Sequence, residues 1–182
     1  MKVTEKVILV DELNREIGEM EKIEAHKKGR LHRAISVFIF NSNHELLLQQ
    51  RASHKYHSAN LWTNTCCTHP RPGEDTLESA HRRLSEEMGM HSDLNLVHEF
   101  VYRTPFDNGL VEYEYDHVYI GFSDVLPMIN PEEASDYKYM NLQDLSKSMQ
   151  LNPEIYTSWF KICFDEIKSI VLEMSCHNAT NS

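Results

Sequence analysis

The segment at positions 68–90, THPRPGEDTLESAHRRLSEEMGM, constrains the fold of this chain more than any other part of it. Leu77, Ala80, Leu84 and Met88 recur in it at the spacing of one helical face, and charged residues fill most positions between them. Gly89 follows at the point where such a helix would end in a left-handed residue. The segment therefore predicts a polar loop that leads into an amphipathic helix.

Strand-like runs lie on both sides of this helix. The run at 34–40, AISVFIF, is rich in β-branched and aromatic residues, and the turn-forming stretch NSNHE separates it from an apolar run at 46–50, which together predict a hairpin. Further strands are predicted at 7–10, 96–103, 111–122 and 136–140, and further helices at 142–149 and 154–176. Because no regular βαβ repeat is present, we expect an α+β fold, layered α/β/α, with a mixed central sheet flanked by helices.

Length, charge and cysteine content narrow the class of protein. The 182 residues suit a single domain over 1–182, with a disordered tail predicted at 177–182. A net charge of -10 argues against broad nucleic-acid binding but allows a small anionic substrate held by local cations or metal. The four cysteines resemble no disulfide framework, and the apolar run at 7–10 is too short for an export signal or membrane span, so we expect a cytoplasmic protein with no membrane partner.

The stretch TNTCCTHP at 63–70 carries the first pair of candidate site residues. Cys67 and His69 are two residues apart, so in an extended chain their side chains point to the same side. A thiol near an imidazole can transfer protons, act as a nucleophile or contribute to a metal site. Without other context, a buried cysteine and a polar loop histidine remain the simpler interpretation.

Two carboxylates and two more histidines extend this set. Glu112 and Glu114 lie on one face of the strand predicted at 111–122, where they repel each other unless a cation lies between them or one is protonated. A solvated strand face is the alternative. His26 and His32 are separated by a glycine, so only a chain that folds back brings both rings to one ion. Together with His69, these two carboxylates and two histidines would form a ligand set that suits Zn²⁺, Mn²⁺ or Fe²⁺.

The segment at 68–90 also matches most of a Nudix box, the loop–helix–loop motif G-x₅-E-x₇-R-E-U-x-E-E-x-G-U, in which U is aliphatic. The positions in register are Glu74, Arg82, Leu84, Glu86, Glu87, Gly89 and Met90. Adjacent carboxylates on a helix can hold Mg²⁺ with a diphosphate, although a charged helix face is the plain alternative. Thr68 replaces the first glycine of the motif, and Arg83 replaces its second glutamate. The loss of that glutamate argues against pyrophosphohydrolase activity, and an arginine at this position is suited to binding a phosphate group.

Four basic residues are candidates for binding an anionic group: Lys22, Arg51, Lys55 and Arg83. Arg51 and Lys55 follow a predicted strand and precede the stretch at 63–70, which is a sensible approach to a phosphate. Each of the four, taken alone, is more often a solvated surface charge.

Together these segments resemble type I isopentenyl-diphosphate isomerase, a family with the Nudix fold. The matching stretches are LHRAISVFIFN, LLLQQRA, LWTNTCCTHP, the altered Nudix box and YRTPFDNGLVEYEYDHV, within residues 5–165. The resemblance implies an enzyme of isoprenoid biosynthesis that interconverts isopentenyl diphosphate and dimethylallyl diphosphate through a tertiary carbocation. It also implies a small diphosphate substrate and a monomer.

The resemblance implies a role for each matching residue. Cys67 is the essential thiol and Glu114 the opposing acid/base carboxylate, which the hydroxyl of Tyr102 assists, while the indole of Trp159 faces the cationic intermediate. The implied diphosphate ligands are Lys22, Arg51, Lys55 and Arg83. A tightly bound divalent metal, Mn²⁺, Zn²⁺ or Mg²⁺, would be held by His26, His32, His69, Glu112 and Glu114. Glu87 would bind an Mg²⁺ that arrives with the substrate.

The chemistry needs two proton-transfer groups on opposite faces of the substrate. In the forward direction we expect Glu114 to act as the acid and Cys67, as thiolate, to act as the base. One departure from the family is local, because Ala59 and Asn60 replace a frequent Pro-Gly ahead of W-T-N. Two other functions stay open: a Nudix hydrolase of a nucleoside diphosphate derivative, which would consume nucleotide, and a non-catalytic binding module, which would turn over nothing.

Overall fold

The computed structural model describes residues 5–55, 57–106 and 108–180, without the side chains of residues 175–180. Within them, nine strands and four α-helices follow one another along the chain. They are β1 (Lys6–Val10), β2 (Glu16–Glu21), α1 (Lys22–Lys28), β3 (His32–Phe40), β4 (Glu45–Arg51), β5 (Trp62–Thr63), β6 (Cys66–Thr68), α2 (Thr76–Met88), β7 (Leu94–Pro105), β8 (Val111–Phe122), β9 (Ala134–Asn141), α3 (Leu142–Leu151) and α4 (Ser158–Thr180).

Strand β3 is the centre of the sheet. It pairs with β8 in parallel and with β1, β4 and β6 in antiparallel orientation. The sheet extends outward through the antiparallel pairs β1–β2, β4–β5, β4–β9 and β7–β8. The predicted mixed sheet is therefore confirmed. Strand β3 lies directly next to β4, β6 and β8, which supply residues of the site, while β7 joins the sheet through β8.

The two faces of β3 explain the layered fold, because successive side chains of a strand point to opposite sides. Phe38 and Phe40 face a core that includes Trp159 and Phe160 of α4. The intervening residues of β3 face the second core, which packs under α2 and comprises Ile35, Val37, Ile39, Leu47, Cys66, Ala80, Leu84, Met88, Met90, Leu94 and Tyr119. This arrangement confirms the α/β/α layering, with α2 and α4 on opposite faces of the sheet.

Several short elements lack a sequence signal and were not predicted. Strand β2, EIGEME, has no buried residue and forms by pairing with β1. Helix α1 has only seven residues, and it follows that strand directly. The predicted helix at 154–176 was wrong at its start, because Pro153–Ile155 forms a separate 3₁₀ turn before α4 begins at Ser158. At its end, helical backbone continues to Thr180 where disorder was predicted, since extending an existing helix costs little; residues 181 and 182 lie outside the described residues.

Both ends of α2 are capped, and the C-terminal cap is the one that the sequence predicted. The side chain of Asp75 accepts hydrogen bonds from the backbone of Leu77 and Glu78, and Gly89 ends the helix in the left-handed conformation, with φ of 61°. Across the described residues, no helix is long and apolar enough to cross a membrane.

Replacing Gly89 by alanine is expected to lower the free energy of unfolding by at least about 2 kcal/mol. A Cβ atom there would lie 2.8 Å from the carbonyl oxygen of Met128, in addition to the strain of a left-handed residue. Gly73→Ala is the matched control, because Gly73 has φ of 78° but no atom within 4 Å of the added Cβ, so about 1 kcal/mol is expected. If urea denaturation gave the same loss of unfolding free energy for both variants, the close contact of the added Cβ with Met128 would not contribute to the loss at Gly89.

Candidate active site and metal centre

A cavity of about 400 Å³ opens on the face of the sheet that packs against α4. Its walls come from strands β3, β4, β6, β7 and β8, from helices α1, α2 and α4, and from loops next to them. Predicted site residues that line it are Lys22, Arg51, Lys55, Cys67, His69, Arg83, Glu87, Tyr102, Glu112, Glu114 and Trp159. The two remaining predicted residues, His26 and His32, are buried beside Glu114.

The strand registers explain how distant residues meet on one face. His32 is opposite Glu114 in the parallel pair of β3 with β8, and Ser36 is opposite Cys67 in the antiparallel pair of β3 with β6. His32 and Ser36 are four residues apart on β3, so they point to the same side. The thiol and the carboxylate therefore lie on the same face of the sheet, each one strand away from β3.

Three imidazoles converge on one carboxylate oxygen. The Nε2 atoms of His69, His32 and His26 lie 2.9, 3.5 and 3.9 Å from Oε1 of Glu114. One ligand atom from each of these four residues lies within 4.8 Å of the others. Gly29 lets the chain fold back as predicted, since it ends α1 in the left-handed conformation between the two N-terminal histidines.

The hydrogen bonds of this cluster fit a bound metal ion. The Nδ1 atoms of His26 and His32 lie 2.6 and 2.8 Å from the carbonyl oxygens of Lys22 and Arg30, so each ring donates its Nδ1 proton there and turns a lone pair at Nε2 toward Glu114. Among the described residues neither Nε2 atom has a hydrogen-bond partner. Lone pairs aimed at a carboxylate repel it unless a cation lies between them, so the group can hold a divalent metal ion.

Burial disfavours protonation of two of these imidazoles, those of His69 and His26. It lowers the pKa of His69 to about 3, although Glu114 acts in the opposite direction. Burial and the neighbouring His32 also lower the pKa of His26. Neutral imidazole is the form that binds a metal ion.

Glu112 lies beside this group rather than within it. Its Oε1 is 3.5 Å from Nε2 of His57, and its Oε2 accepts a hydrogen bond of 3.3 Å from the hydroxyl of Tyr102. The same hydroxyl donates a shorter bond, 2.6 Å, to Oε2 of Glu114. Tyr102 thus links the two carboxylates, and its hydroxyl lies next to Glu114, where it was predicted to be.

The two carboxyl groups differ in their tendency to ionise. Burial, together with the charge of Glu114, raises the pKa of Glu112 well above its usual range. Burial also opposes ionisation of Glu114, but the adjacent His69, which contacts its Oε1 at 2.9 Å, outweighs burial and holds the pKa of Glu114 well below its usual range. In the free protein the single charge of the pair is therefore on Glu114.

Cys67 is held from two sides in its half-buried position on β6. Its Sγ lies 3.2 Å from Oδ1 of Asn64 and 3.7 Å from Oγ of Ser36. Asn64 is itself fixed, because its Nδ2 donates to the carbonyl oxygens of Val37 and Cys66. Burial, with Asp116 as the next contribution, raises the pKa of Cys67 to about 12, so the free protein carries a protonated thiol here.

Asp116 is a buried carboxyl group directly behind the cavity lining, and it was not predicted from the sequence. It accepts a hydrogen bond of 2.7 Å from Ser36, the residue next to the thiol of Cys67. Burial, and then the charge of Glu114, raises the pKa of Asp116 to about 7. The sequence did carry a signal for Asp116, because it continues the row of acidic residues at every second position that Glu112 and Glu114 begin along β8.

His57 is a second residue that was missed. Its ring stacks on Phe106 at 4.9 Å and meets the ring of Trp159 edge-on at 5.8 Å. Burial, and then the charge of Arg51, lowers the pKa of His57 to about 3. Nothing in the sequence pointed to it, because the loop between β4 and β5 has no periodicity.

The cationic end of the cavity is lined by the four predicted basic residues, three of them paired with carboxylates. Lys22 contacts Glu5 at 3.1 Å, and Arg83 lies 2.5 Å from Oε1 of Glu87 through its Nε atom. Lys55 and Arg83 both contact Glu133. Neither Glu5 nor Glu133 was predicted from the sequence, since isolated glutamates carry no pattern.

Arg51 differs from the other three basic residues. Its guanidinium carbon lies 5.2 Å from the centroid of the Trp159 ring, and its Nη2 donates to the carbonyl oxygen of His57 at 3.3 Å. The buried Nε1 atom of Trp159 has no hydrogen-bond partner among the described residues. Arg51 therefore places a positive charge where the basic end of the cavity meets its aromatic wall.

Other residues of the Nudix box are structural braces. Arg82 donates to both carboxylate oxygens of Glu74, at 2.6 and 2.9 Å, and ties the loop ahead of α2 to the helix. This pairing holds the pKa of Glu74 at about 2. Glu86, on the outer side of α2, contacts Arg82 and Arg83, whereas Glu87 lines the cavity.

Comparison with known proteins agrees with this architecture. Residues 30–160 match the NUDIX domain family. In solved structures, the chain resembles DR0079 from Deinococcus radiodurans, with a TM-score of 0.75, 20% identity and coverage of 89% of this chain and 98% of that one. It also resembles the MutT protein from Methanosarcina mazei Go1, with a TM-score of 0.63, 17% identity and coverage of 76% and 94%. These likenesses establish the fold.

Curated relatives are much more similar in sequence. The isopentenyl-diphosphate Delta-isomerase of Pectobacterium atrosepticum is 54% identical over 92% of this chain and 93% of its own length. The isopentenyl-diphosphate Delta-isomerase 2 of Aromatoleum aromaticum is 48% identical over 91% of this chain and 87% of its own length. With a matching domain and relatives of this identity over nearly its whole length, the chain belongs to the isopentenyl-diphosphate Delta-isomerase family, within the NUDIX domain family.

Proposed function

We propose that this protein is an enzyme that interconverts isopentenyl diphosphate and dimethylallyl diphosphate. The observation that carries the proposal is the presence of Cys67 and Glu114 in one cavity, on the same face of the sheet, with a basic end suited to a diphosphate. The names of the curated relatives support the same substrate pair. One domain over 1–182 accords with a single sheet that joins the nine described strands.

The reaction moves one double bond by adding a proton to one carbon and removing a proton from another. In the forward direction the carboxyl group of Glu114 gives a proton to the terminal CH₂ carbon of the alkene, and a tertiary carbocation forms. The thiolate of Cys67 then takes a proton from C2, and that C–H electron pair becomes the new double bond. Each forward turnover ends with a thiol at Cys67 and a carboxylate at Glu114, which is also the state of the free protein. One proton must therefore move from Cys67 to Glu114 before the first forward turnover and again before each later one.

Tyr102 and Trp159 support these two groups. The hydroxyl of Tyr102 donates to Glu114 at 2.6 Å, which orients the carboxyl group toward the cavity and stabilises its charge after proton transfer. The ring face of Trp159 can stabilise a nearby carbocation by about 2 kcal/mol once water is excluded. Exclusion of water matters because water would trap the cation as an alcohol.

The substrate diphosphate is proposed to bind at the cationic end of the cavity. Lys22, Arg51, Lys55 and Arg83 line this end, and binding energy gained there can position the reacting carbons at the other end. Glu87 lines the same end and is proposed to bind an Mg²⁺ that accompanies the diphosphate.

The metal ligands are proposed to be His26, His32, His69, Glu112 and Glu114, of which all but Glu112 form the close group of four. Mn²⁺, Zn²⁺ and Mg²⁺ are the candidate ions, of which the imidazole-rich set favours the first two. A bound divalent ion would supply a positive charge that favours the ionised form of Glu114. The chain itself provides the neutral imidazoles and fixes their orientation through backbone carbonyl groups.

A hydrolase is the less favoured function for this cavity. Arg83 replaces a carboxylate of the Nudix box, and it also forms an ion pair with Glu87, so α2 presents one carboxylate fewer to metal ions that activate water.

The proposal is tested by incubating the purified protein with isopentenyl diphosphate and Mg²⁺ in D₂O and following the products by NMR. We expect dimethylallyl diphosphate that carries deuterium, because the proton added to the alkene comes from an exchangeable group. A sample without protein controls for spontaneous exchange. Intact substrate without deuterium, from protein with a filled metal site, would overturn the assignment.

A further inference from the structure

Glu133 occupies a position among the basic residues that the proposed function does not explain. Its Oε2 contacts Nζ of Lys55 and lies 2.6 Å from Nη2 of Arg83. The side chain lines the cavity and is 20% exposed. Two of the four cations proposed to bind a diphosphate are therefore already paired with the same carboxylate oxygen, which offsets one of their two positive charges.

The backbone of Glu133 is hydrogen-bonded on both sides, and its carboxylate is held by Lys55 and Arg83. The carbonyl oxygen of Glu133 accepts a hydrogen bond of 3.0 Å from Ala52, and its N–H donates to Asn130 at 2.9 Å. Burial opposes ionisation of Glu133, but Lys55 and Arg83 outweigh it and hold its pKa below the usual value. The negative charge is a fixed part of the cationic end.

A fixed carboxylate affects bare and metal-bound diphosphate differently. A bare diphosphate has to share Lys55 and Arg83 with Glu133, and the negative charges repel each other at close range. A divalent cation on the diphosphate offsets this repulsion, and Glu87 is a second carboxylate near such a cation, since it also pairs with Arg83. The side chain of Glu133 therefore weakens binding of bare diphosphate and leaves unchanged, or strengthens, binding of its complex with a divalent cation.

We propose that Glu133 is a specificity-determining residue that makes the cavity select diphosphate complexed with a divalent cation over free diphosphate. This inference rests on the proposed function only in that a diphosphate binds at the cationic end. It assigns a role in substrate selection to a residue that carries no proton in the reaction.

The test measures binding of inorganic diphosphate by isothermal titration calorimetry, with and without added Mg²⁺. For the wild-type protein we expect tighter binding with Mg²⁺. In Glu133→Gln, removal of one charge is expected to lower the ratio of the two affinities on the order of tenfold, mainly through tighter metal-free binding. Glu133→Asp keeps the charge and should retain much of the wild-type ratio, provided thermal melts show that both variants are folded.

Glu132→Gln is the matched control, because Glu132 is the adjacent glutamate, its side chain is 83% exposed, and its contact is a surface pair with His54 at 3.7 Å. Its affinity ratio should equal that of the wild type. A wild-type ratio in Glu133→Gln, or an equal loss of both affinities, would overturn the selection role and leave the proposed function standing. No binding of diphosphate by the wild-type protein under either condition would overturn both.

Discussion

Cys67→Ala is expected to lower turnover of isopentenyl diphosphate by at least about 10³-fold, because it removes one of the two proton-transfer groups. The metal content should stay at the wild-type level, since the imidazoles and carboxylate of the metal group do not include this thiol. The fold should also persist, because Cys67 is only half-buried and alanine preserves its backbone. The measurement combines NMR turnover with metal analysis of the same sample.

The adjacent thiol provides an unusually close control. Cys66 lies on the same strand but faces the other core, under α2, and is fully buried. Cys66→Ala is expected to cost about 1 kcal/mol of stability through lost packing, with turnover within a few-fold of the wild type. Comparable turnover losses in the two variants would mean that the effect at position 67 is structural rather than chemical, and near-wild-type turnover of Cys67→Ala would exclude it from the reaction.

Glu114→Gln is expected to reduce both metal retention and turnover. Three Nε2 atoms converge on Oε1 of Glu114, so an amide there removes the negative charge that the group offers a cation. We expect metal affinity to fall at least about 100-fold, since loss of a direct ligand should exceed the 10- to 100-fold effect of losing a supporting residue. Turnover should fall by at least about 10³-fold even with excess metal, because the amide cannot transfer the proton.

Glu99→Gln is the corresponding control for this variant. Glu99 also pairs with a histidine, since its Oε1 lies 3.1 Å from Nε2 of His117, but this pair is outside the cavity lining. Metal content, measured by atomic absorption after dialysis, and turnover should both match the wild type. Full metal content in Glu114→Gln would remove this carboxylate from the proposed ligands.

The fold was predictable wherever the chain carries a strong local pattern. The apolar repeat of α2, the run of β-branched and aromatic residues in β3 and the alternation along β8 are such patterns, and each of these predicted elements is present. Strand β2 and helix α1 escaped prediction because their formation depends on neighbours: β2 has no buried side chain, and α1 buries only Ala25 and His26. Tertiary contacts, rather than local propensity, stabilise such short elements.

The proposed site divides in the same way. Residues with a pattern or family match were predicted, and the cavity brings together Cys67, Glu114 and the basic residues as expected. Asp116 continued a visible period but was not recognised, whereas His57 and Glu133 lie in loops and had no signal at all. Glu112 was predicted to be a direct ligand, and its position beside His57, outside the close group of four, depends on side-chain packing that no spacing rule contains.

The sequence by itself determined the family, the layered fold and the chemical types available to the site, because these depend on local period and residue identity. Only the tertiary structure decided which charges stand next to each other. The register of β3 with β6 and β8 brings thiol and carboxylate to one face, and the loop before β9 inserts Glu133 between two cations. Burial then sets the protonation of Cys67 and Glu112, since the cost of a buried charge depends on every surrounding group.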